Sequence, residues 1–154
     1  MKGDPAVIEQ LNKVLCAELT SINQYFLHAR MFKNWGLSKL NERDYKKSIK
    51  DMKQADSLIE RVLFIEGLPN LQQLGRLRIG ESTAEMFDCD FEFQQDQIAL
   101  LRESVILCEK QKDYVSRELL KEILEYEEEH LDWIETQQHL LTELGSENYL
   151  QSQL

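Results

Sequence analysis

The sequence predicts an all-α protein, a bundle of four long helices. Its 154 residues include only two prolines and six glycines, so long stretches lack any residue that would end a helix. Four of these stretches carry apolar residues at alternating three- and four-residue spacing, which places those residues along one face of a helix. A chain of this length buries about 70% of the surface that its unfolded form exposes, enough for a single core. We therefore expect one domain, residues 1–154.

The first helix is expected to begin after Asp4-Pro5, a helix-start signal, and to continue to about Asn34. Its apolar stripe is interrupted once, by Glu18. The other members of the stripe are Ile8, Leu11, Leu15, Ile22, Tyr25, Ala29 and Phe32.

The second helix is expected from about Leu40 to Glu66, and Asp51 and Gln54 interrupt its inward stripe. The rest of that stripe consists of Ser48, Ala55, Leu58, Val62 and Ile65. A second apolar stripe, turned by about 100° from the first, consists of Ile49, Met52, Ile59 and Leu63. This helix therefore has apolar residues for two different contacts.

The third helix is expected from about Ser82 to Gln111, with Gln94 as the only polar residue in its stripe. The apolar members are Ala84, Phe87, Phe91, Ile98, Leu101, Val105 and Cys108. The fourth helix is expected from about Asp113 to Leu144, where Gly145 ends it, and Glu127 and His130 occupy consecutive inward positions. The other inward residues are Leu120, Ile123, Ile134, Gln137, Leu141 and Leu144. The tail, residues 146–154, is expected to form a short fifth helix.

Short turns join the first helix to the second and the third to the fourth, which predicts two antiparallel hairpins. The link between the second and third helices, residues 67–81, is longer and contains Pro69, Gly75 and Gly80. A link of this length can cross the whole bundle. We expect one long crossover, so that the second and third helices need not be antiparallel neighbours.

The polar interruptions repeat at a fixed spacing. Glu18 precedes Asp51 by 33 residues and Gln54 by 36, and Gln94 precedes Glu127 by 33 and His130 by 36. Because an unpaired buried carboxylate costs several kcal/mol, these side chains are expected to meet in the core. A Glu from each of two helices and a Glu-x-x-His from each of two others hold two irons in some helical bundles.

The set present here comprises three carboxylates, one imidazole and two neutral amides. The candidate metal ligands are Glu18, Asp51, Glu127 and His130. A metal-free alternative remains open, in which Gln54 and Gln94 hydrogen-bond to the carboxylates that face them and form a polar core network.

Charge and targeting patterns narrow the functional classes. A net charge of −10 argues against nucleic-acid binding by phosphate attraction. No apolar stretch approaches the ~18 residues of a membrane-spanning helix, and the N-terminus lacks the apolar stretch of a signal peptide, so we expect no membrane association and a cytoplasmic location. The cysteines, Cys16, Cys89 and Cys108, form no CxxC pair and are expected to be reduced and buried.

Several segments of the chain resemble bacterioferritins, members of the ferritin-like superfamily. They are residues 1–4, 23–32, 34–37, 66–72, 113–117 and 148–151. The resemblance implies a ferritin-like bundle, a cage of 24 subunits that stores ferric mineral, haem b between paired subunits and an intrasubunit di-iron ferroxidase centre.

Carried over position by position, the resemblance places the family's di-iron centre on Glu18, Asp51, Gln54, Gln94, Glu127 and His130. The family has Glu at positions 51 and 94 and His at position 54, so three of six ligands are changed. The resemblance places the axial haem ligand on Met52. Positions 46 and 50 correspond to the inner surface of the cage, where this chain has Lys46 and Lys50; with Lys53 they form one helical stripe, expected to be exposed.

The expected function is therefore that of a haem-binding subunit of an iron-storage cage, with an impaired ferroxidase centre. The expected 24-mer is either homo-oligomeric or shared with a second, ferroxidase-competent bacterioferritin subunit, and a ferredoxin-type reductase is a further candidate partner. One alternative is an active ferroxidase with an altered or mononuclear site at Glu18, Glu127 and His130. Another is a di-iron oxidase or peroxidase unrelated to storage, which would form small oligomers.

Overall fold

The computed structural model describes all residues, 1–154, and its only regular secondary structure is α-helix. The helices are α1 (Pro5–Asn34), α2 (Ser38–Phe64), α3 (Thr83–Lys110), α4 (Tyr114–Leu144) and α5 (Ser146–Gln151). The predicted all-α bundle of four long helices with a short fifth helix is confirmed, and the long helices begin and end within two residues of the expected positions. None of the five helices combines the length and the hydropathy that a membrane-spanning segment requires.

Side-chain caps fix where three of the long helices begin. The Asp4 carboxylate accepts a hydrogen bond from the Ala6 backbone N–H at 2.8 Å, with Pro5 as the first helical residue. Ser82 accepts from the Glu85 N–H at 3.2 Å at the start of α3. Asp113 accepts from the Ser116 N–H at 3.0 Å at the start of α4. Each cap satisfies a backbone donor that the first helical turn leaves unpaired.

The link between α2 and α3 crosses the length of the bundle along α1. Side chains of α1 form hydrogen bonds with the backbone of the link, and residues later in α1 contact residues later in the link. The pairs are Asn12 with Leu68 and Asn70, Thr20 with Gly75, Gln24 with Arg78, and His28 with Gly80. The link therefore starts beside the N-terminal half of α1 and ends near its C-terminal end. Consequently α3 runs parallel to α2 and antiparallel to α1, and the single long crossover is confirmed.

Two apolar clusters fill the bundle, one on each side of a polar layer. The larger cluster consists of Val7, Leu11, Val14, Leu15, Ala55, Leu58, Val62, Ile65, Leu101, Cys108, Leu120 and Ile123. The smaller consists of Phe32, Leu37, Leu40, Met86, Phe87, Ile134 and Tyr149. The fifth helix contributes Tyr149, whose hydroxyl donates to Gln137 Oε1 at 2.6 Å. The polar residues that interrupt the stripes lie between these clusters.

Some expected burial is wrong. Ala84 and Leu144 are exposed because they lie at helix ends, where Met86 and Phe87 of α3 and Tyr149 of α5 take the inward positions instead. All three cysteines are free, but only Cys108 is buried; Cys16 and Cys89 are half-buried.

Candidate metal centre

The six residues of the predicted centre lie at one level of the bundle interior. Glu18, Asp51, Gln94 and Glu127 have no exposed surface, and His130 and Gln54 are 1% and 6% exposed. Each of the four long helices contributes at least one of them. The carboxylates of Glu18, Asp51 and Glu127 each offer an oxygen within 4.8 Å of the others, so three acids form a tight triad. His130 is not part of that triad.

Lys47 is the residue that sequence reasoning missed. It is 1% exposed, and its Nζ donates to Asp51 Oδ1 and to Glu127 Oε1, the latter at 3.1 Å. The ammonium also lies 4.8 Å from the centre of the Tyr25 ring and 5.3 Å from that of Tyr126. Asp51 follows Lys47 by one helical turn, so both side chains point to the same part of the core. The triad thus contains a cation supplied by the chain itself.

The predicted exposure of the lysine stripe is confirmed, since Lys46, Lys50 and Lys53 all face solvent. Lys46 pairs with Glu42 at 2.9 Å on the surface of α2. Lys47 differs from these neighbours because it lies on the inward face of the helix. The acidic partners there offset the free-energy cost of removing its charge from water.

Neutral donors engage the remaining carboxylate oxygens. Gln94 Nε2 donates to Glu127 Oε2 at 2.6 Å, and Gln97 Nε2 donates to Glu18 Oε1 at 2.8 Å. The Ser21 hydroxyl donates to Asp51 Oδ2. With the Gln54 amide oriented so that its nitrogen faces the acids, that nitrogen lies 3.0 Å from Glu18 Oε2. This is the arrangement of the metal-free polar network considered above, with Lys47 added.

The electrostatics keep Lys47 charged. Burial lowers the pKa of the Lys47 ammonium, but the charges of Asp51, Glu127 and Glu18 outweigh burial and raise it above its ordinary value. Burial, together with the charges of Asp51 and Glu127, raises the pKa of Glu18 well above its ordinary value. Burial also raises the pKa of Asp51, while Lys47 and Ser21 act in the opposite direction. The Lys47 ammonium offsets part of the negative charge of the buried triad.

His130 stands in an aromatic setting. Its ring stacks on Trp133 with centroids 5.7 Å apart, and meets the Tyr25 ring edge-on at 5.0 Å. Neither ring nitrogen has a hydrogen-bond partner. Burial, with smaller contributions from the charges of Lys47 and Arg43, holds the pKa of His130 well below its usual range. The imidazole is therefore neutral.

These residues do not fit a pair of ferrous ions. Four carboxylates would balance the charge of two such ions, whereas the triad has three and already holds an ammonium. Both oxygens of Glu127 are engaged, one by Lys47 and the other by Gln94. Carboxylate oxygens bind hard cations through the same lone pairs, so binding two irons would require breaking these bonds.

A second buried polar cluster lies nearer the start of α3, and the sequence stripes gave no sign of it. It contains His28, Asp44 and Asp90, all at most 2% exposed. His28 Nε2 accepts from the Gly80 N–H at 3.2 Å, and Nδ1 lies 3.0 Å from Asp90 Oδ1. The backbone N–H therefore engages the lone pair of Nε2. Burial and the nearby Asp90 charge raise the pKa of Asp44 well above its usual range, although Lys47 and Arg43 oppose this.

Met52 lies outside the core, on the outer face of α2. It is 53% exposed, and Tyr45 and Ile49 precede it on the same face of the helix. Phe26 of the adjacent α1 lies beside Tyr45, with ring centroids 6.3 Å apart. The thioether therefore projects from an exposed apolar surface, which suits a soft axial ligand to haem iron at a contact between subunits.

Comparisons with known proteins agree with this architecture. The family model of the ferritin-like domain matches residues 8–144. The chain is 45% identical to a bacterioferritin of Brucella melitensis over 149 residues, which cover 97% of this chain and 92% of that protein. It is 42% identical to a bacterioferritin of Mycobacterium leprae, covering 97% and 94% of the two chains. It is 44% identical to a bacterial ferritin of Synechocystis over the whole of this chain and 99% of the relative. These similarities, together with the helical bundle, the long crossover and the buried acidic triad, show that the chain belongs to the bacterioferritin family.

Proposed function

We propose that this chain is a haem-carrying bacterioferritin subunit whose di-iron centre does not oxidise iron. The family makes it an iron-storage, ferritin-like subunit. Beyond that, we propose that residues 1–154 form one domain, that this chain assembles into a cytoplasmic cage of 24 subunits, and that in the cell some of those 24 positions are held by a second, ferroxidase-competent subunit. A ferredoxin-type reductase would deliver electrons through the haem.

The main support for a centre that does not oxidise iron is that both carboxylate oxygens of Glu127 already accept hydrogen bonds. This carboxylate comes from the Glu-x-x-His pair and is the one expected to bridge two irons. Its Oε1 accepts from Lys47 at 3.1 Å and its Oε2 accepts from Gln94 at 2.6 Å. A bridging carboxylate needs both oxygens free for metal. A ferrous substrate ion therefore meets a closed hydrogen-bonded network instead of an open site.

The haem part of the proposal rests on Met52. An exposed methionine on an apolar surface is a costly residue to leave in water, and a symmetry-related copy of the same surface would bring a second Met52 to face the first. Two thioethers from paired subunits would hold haem iron in a low-spin state and supply an electron-transfer group. Met52 would be the residue of this chain that binds the cofactor.

The alternative with a specific observation in its favour is a mononuclear ferroxidase at Glu18, Glu127 and His130. Its support is that both His130 nitrogens lack partners, as expected of a ligand awaiting a metal. The contacts of Lys47 and Gln94 with Glu127 count against it.

The purified homopolymer tests the proposal. Light scattering should give about 440 kDa for 24 chains of 18.2 kDa, whereas a small oligomer would favour an oxidase or peroxidase unrelated to storage. Ferrous iron added in air should be oxidised no faster than in protein-free buffer. A rate comparable with that of an ordinary bacterioferritin would rule out the silent centre.

Haem binding is tested on the same protein after expression with adequate haem. The wild type and Met31→Leu, a matched control at a half-buried methionine, should show the absorption spectrum of low-spin haem with two thioether ligands. Met52→Leu should lose that spectrum while keeping the cage mass. Unchanged haem content in Met52→Leu would exclude Met52 as the ligand.

A further inference from the structure

We infer that Lys47 is a built-in counter-cation that takes the place of the metal, and that Lys47 itself keeps divalent cations out of the centre. The inference rests on the proposed silent centre and goes further, because it names the side chain that enforces the silence. Loss of three ligands alone would only weaken metal binding. An ammonium that occupies the carboxylate oxygens of the triad prevents it.

The charge balance of the interior motivates this assignment. Glu18, Asp51 and Glu127 are fully buried and their oxygens lie within 4.8 Å of one another. Such a group of acids is stable only with a cation or with protons among them. Lys47 is the only Lys or Arg whose nitrogen reaches any of the three within ion-pairing distance. The position that a metal would hold electrostatically is thus occupied by Lys47.

The ammonium and a metal ion would compete for the same oxygens. Lys47 Nζ bonds Asp51 Oδ1 and Glu127 Oε1, the acids of two facing helices. A divalent ion bound to these oxygens would lie close to Lys47 in a poorly solvated interior, where repulsion between like charges is weakly screened. The Tyr25 and Tyr126 rings, whose centres lie 4.8 Å and 5.3 Å from Nζ, add cation–π attraction that favours this position of the ammonium.

The rest of the centre remains suited to a cation once the ammonium is removed. Three carboxylates and the neutral, unpartnered imidazole of His130 offer oxygen and nitrogen donors that bind first-row divalent ions. A variant without the Lys47 charge should therefore need a metal ion where the natural protein needs none.

Cobalt(II) is a suitable probe, because its visible absorption reports coordination by the protein. We compare the metal-free wild-type cage with Lys47→Gln and with Lys50→Gln. Lys50 is a matched control: it lies on the same helix, its Nζ is also 5.3 Å from the Tyr126 ring, and it is exposed and forms no ion pair. Each protein is titrated with Co²⁺ while absorption and thermal midpoint are recorded.

Without metal, Lys47→Gln should unfold at a lower temperature than the wild type. Co²⁺ should raise its midpoint and produce an absorption band, with an affinity at least about tenfold above that of any wild-type site. Lys50→Gln should behave as the wild type. Equal cobalt responses in wild type and Lys47→Gln, or no response in Lys47→Gln, would overturn the inference.

A second pair of variants serves if Lys47→Gln does not fold. Asp51→Asn retains Lys47 and removes one acid; Lys47→Gln with Asp51→Asn leaves two acids and His130 without a cation. The double variant should bind Co²⁺ and the single variant should not. Equal binding by the two would contradict the role assigned to Lys47.

The outcome separates this inference from the proposed function. Rapid iron oxidation by the wild type would refute the silent centre whatever the cobalt result. If the wild type does not accelerate iron oxidation and Lys47→Gln shows no cobalt absorption band or rise in thermal midpoint, only the role of Lys47 is refuted.

Discussion

Lys47 buries an ammonium group that would ordinarily remain in water, and the structure shows why this is tolerated. Two carboxylates accept from its Nζ and two aromatic rings flank it. Removing one partner of such a buried pair typically costs 3–5 kcal/mol, because the other charge is left uncompensated. In the role proposed for Lys47, the same charge excludes ferrous iron. One side chain would then account both for the stability of the metal-free centre and for its lack of iron binding.

Asp113 gives a pH-dependent prediction at the same scale. Burial alone would raise its pKa, but hydrogen bonds from the Ser116 N–H and hydroxyl and the charge of Arg61, whose Nη2 lies 2.9 Å away, lower it below the ordinary value. A carboxyl whose folded-state pKa is lowered stabilises the fold at pH values above its unfolded pKa of about 3.9 and loses that contribution as pH falls below it.

Replacing Asp113 by Asn should therefore lower the free energy of unfolding at pH 7 by about 1 kcal/mol. The difference from the wild type should shrink as pH falls below about 4 and vanish once Asp113 is protonated in the folded protein. Urea unfolding across this range measures it, with Asp56→Asn, an exposed acid without an ion pair, as the control. A difference that stays constant with pH would contradict the assignment.

How much of the centre the sequence predicts differs from residue to residue. The 33- and 36-residue spacings and the inward stripes identify Glu18, Asp51 and Glu127, since both follow from helix periodicity alone. Lys47 escapes such a reading because lysine is rarely buried without a partner, and its second partner, Glu127, lies 80 residues away on another helix. Counting back one turn from Asp51 is the one sequence signal that points to it.

At the level of elements, the start of α3 depends on a close approach of two backbone segments. A Cβ on Gly80 would lie 2.4 Å from the Met86 backbone nitrogen and 2.6 Å from its Cα. Met86 N donates to Ser82 O at 2.8 Å in the first turn of α3, so moving those atoms would disturb this hydrogen bond. Gly80 also donates to His28. The absence of a side chain at Gly80 lets the crossover enter the helix.

Gly80→Ala should therefore destabilise the subunit by about 3 kcal/mol or more. Gly75→Ala is the matched control in the same link, because its Cβ would come no closer than 3.2 Å, to the Thr20 hydroxyl, and should cost less. Thermal unfolding of the two variants beside the wild type measures the difference. Equal midpoints would show that α3 can shift to admit the methyl group.

The ends of the helices were predictable because capping residues close in the sequence determine them. Asp4-Pro5, Ser82 and Asp113 act as caps where the sequence expects helices to start. The length of the crossover predicts that it can traverse the bundle, but not that it lies along α1. That path depends on α1 side chains such as Thr20 and His28 bonding link backbone, which a helix-face pattern does not reveal.

At the scale of the whole molecule, the proposed haem site and the acidic centre lie on different sides of α2. Asp51 is fully buried, whereas Met52 is 53% exposed, because successive residues on a helix are about 100° apart. The two sites therefore use different faces of one helix. Under the proposed function, this separation would let a subunit lose iron oxidation and keep a surface for haem, while the proposed partner subunit oxidises the iron.

Iron-edge anomalous diffraction from wild-type crystals soaked in ferrous iron tests the closed centre most directly. We predict no iron peak among Glu18, Asp51 and Glu127, with the Lys47 ammonium still bonded to the last two. One or two well-occupied iron peaks beside those carboxylates and His130, with Lys47 displaced, would contradict both the silent centre and the role of Lys47.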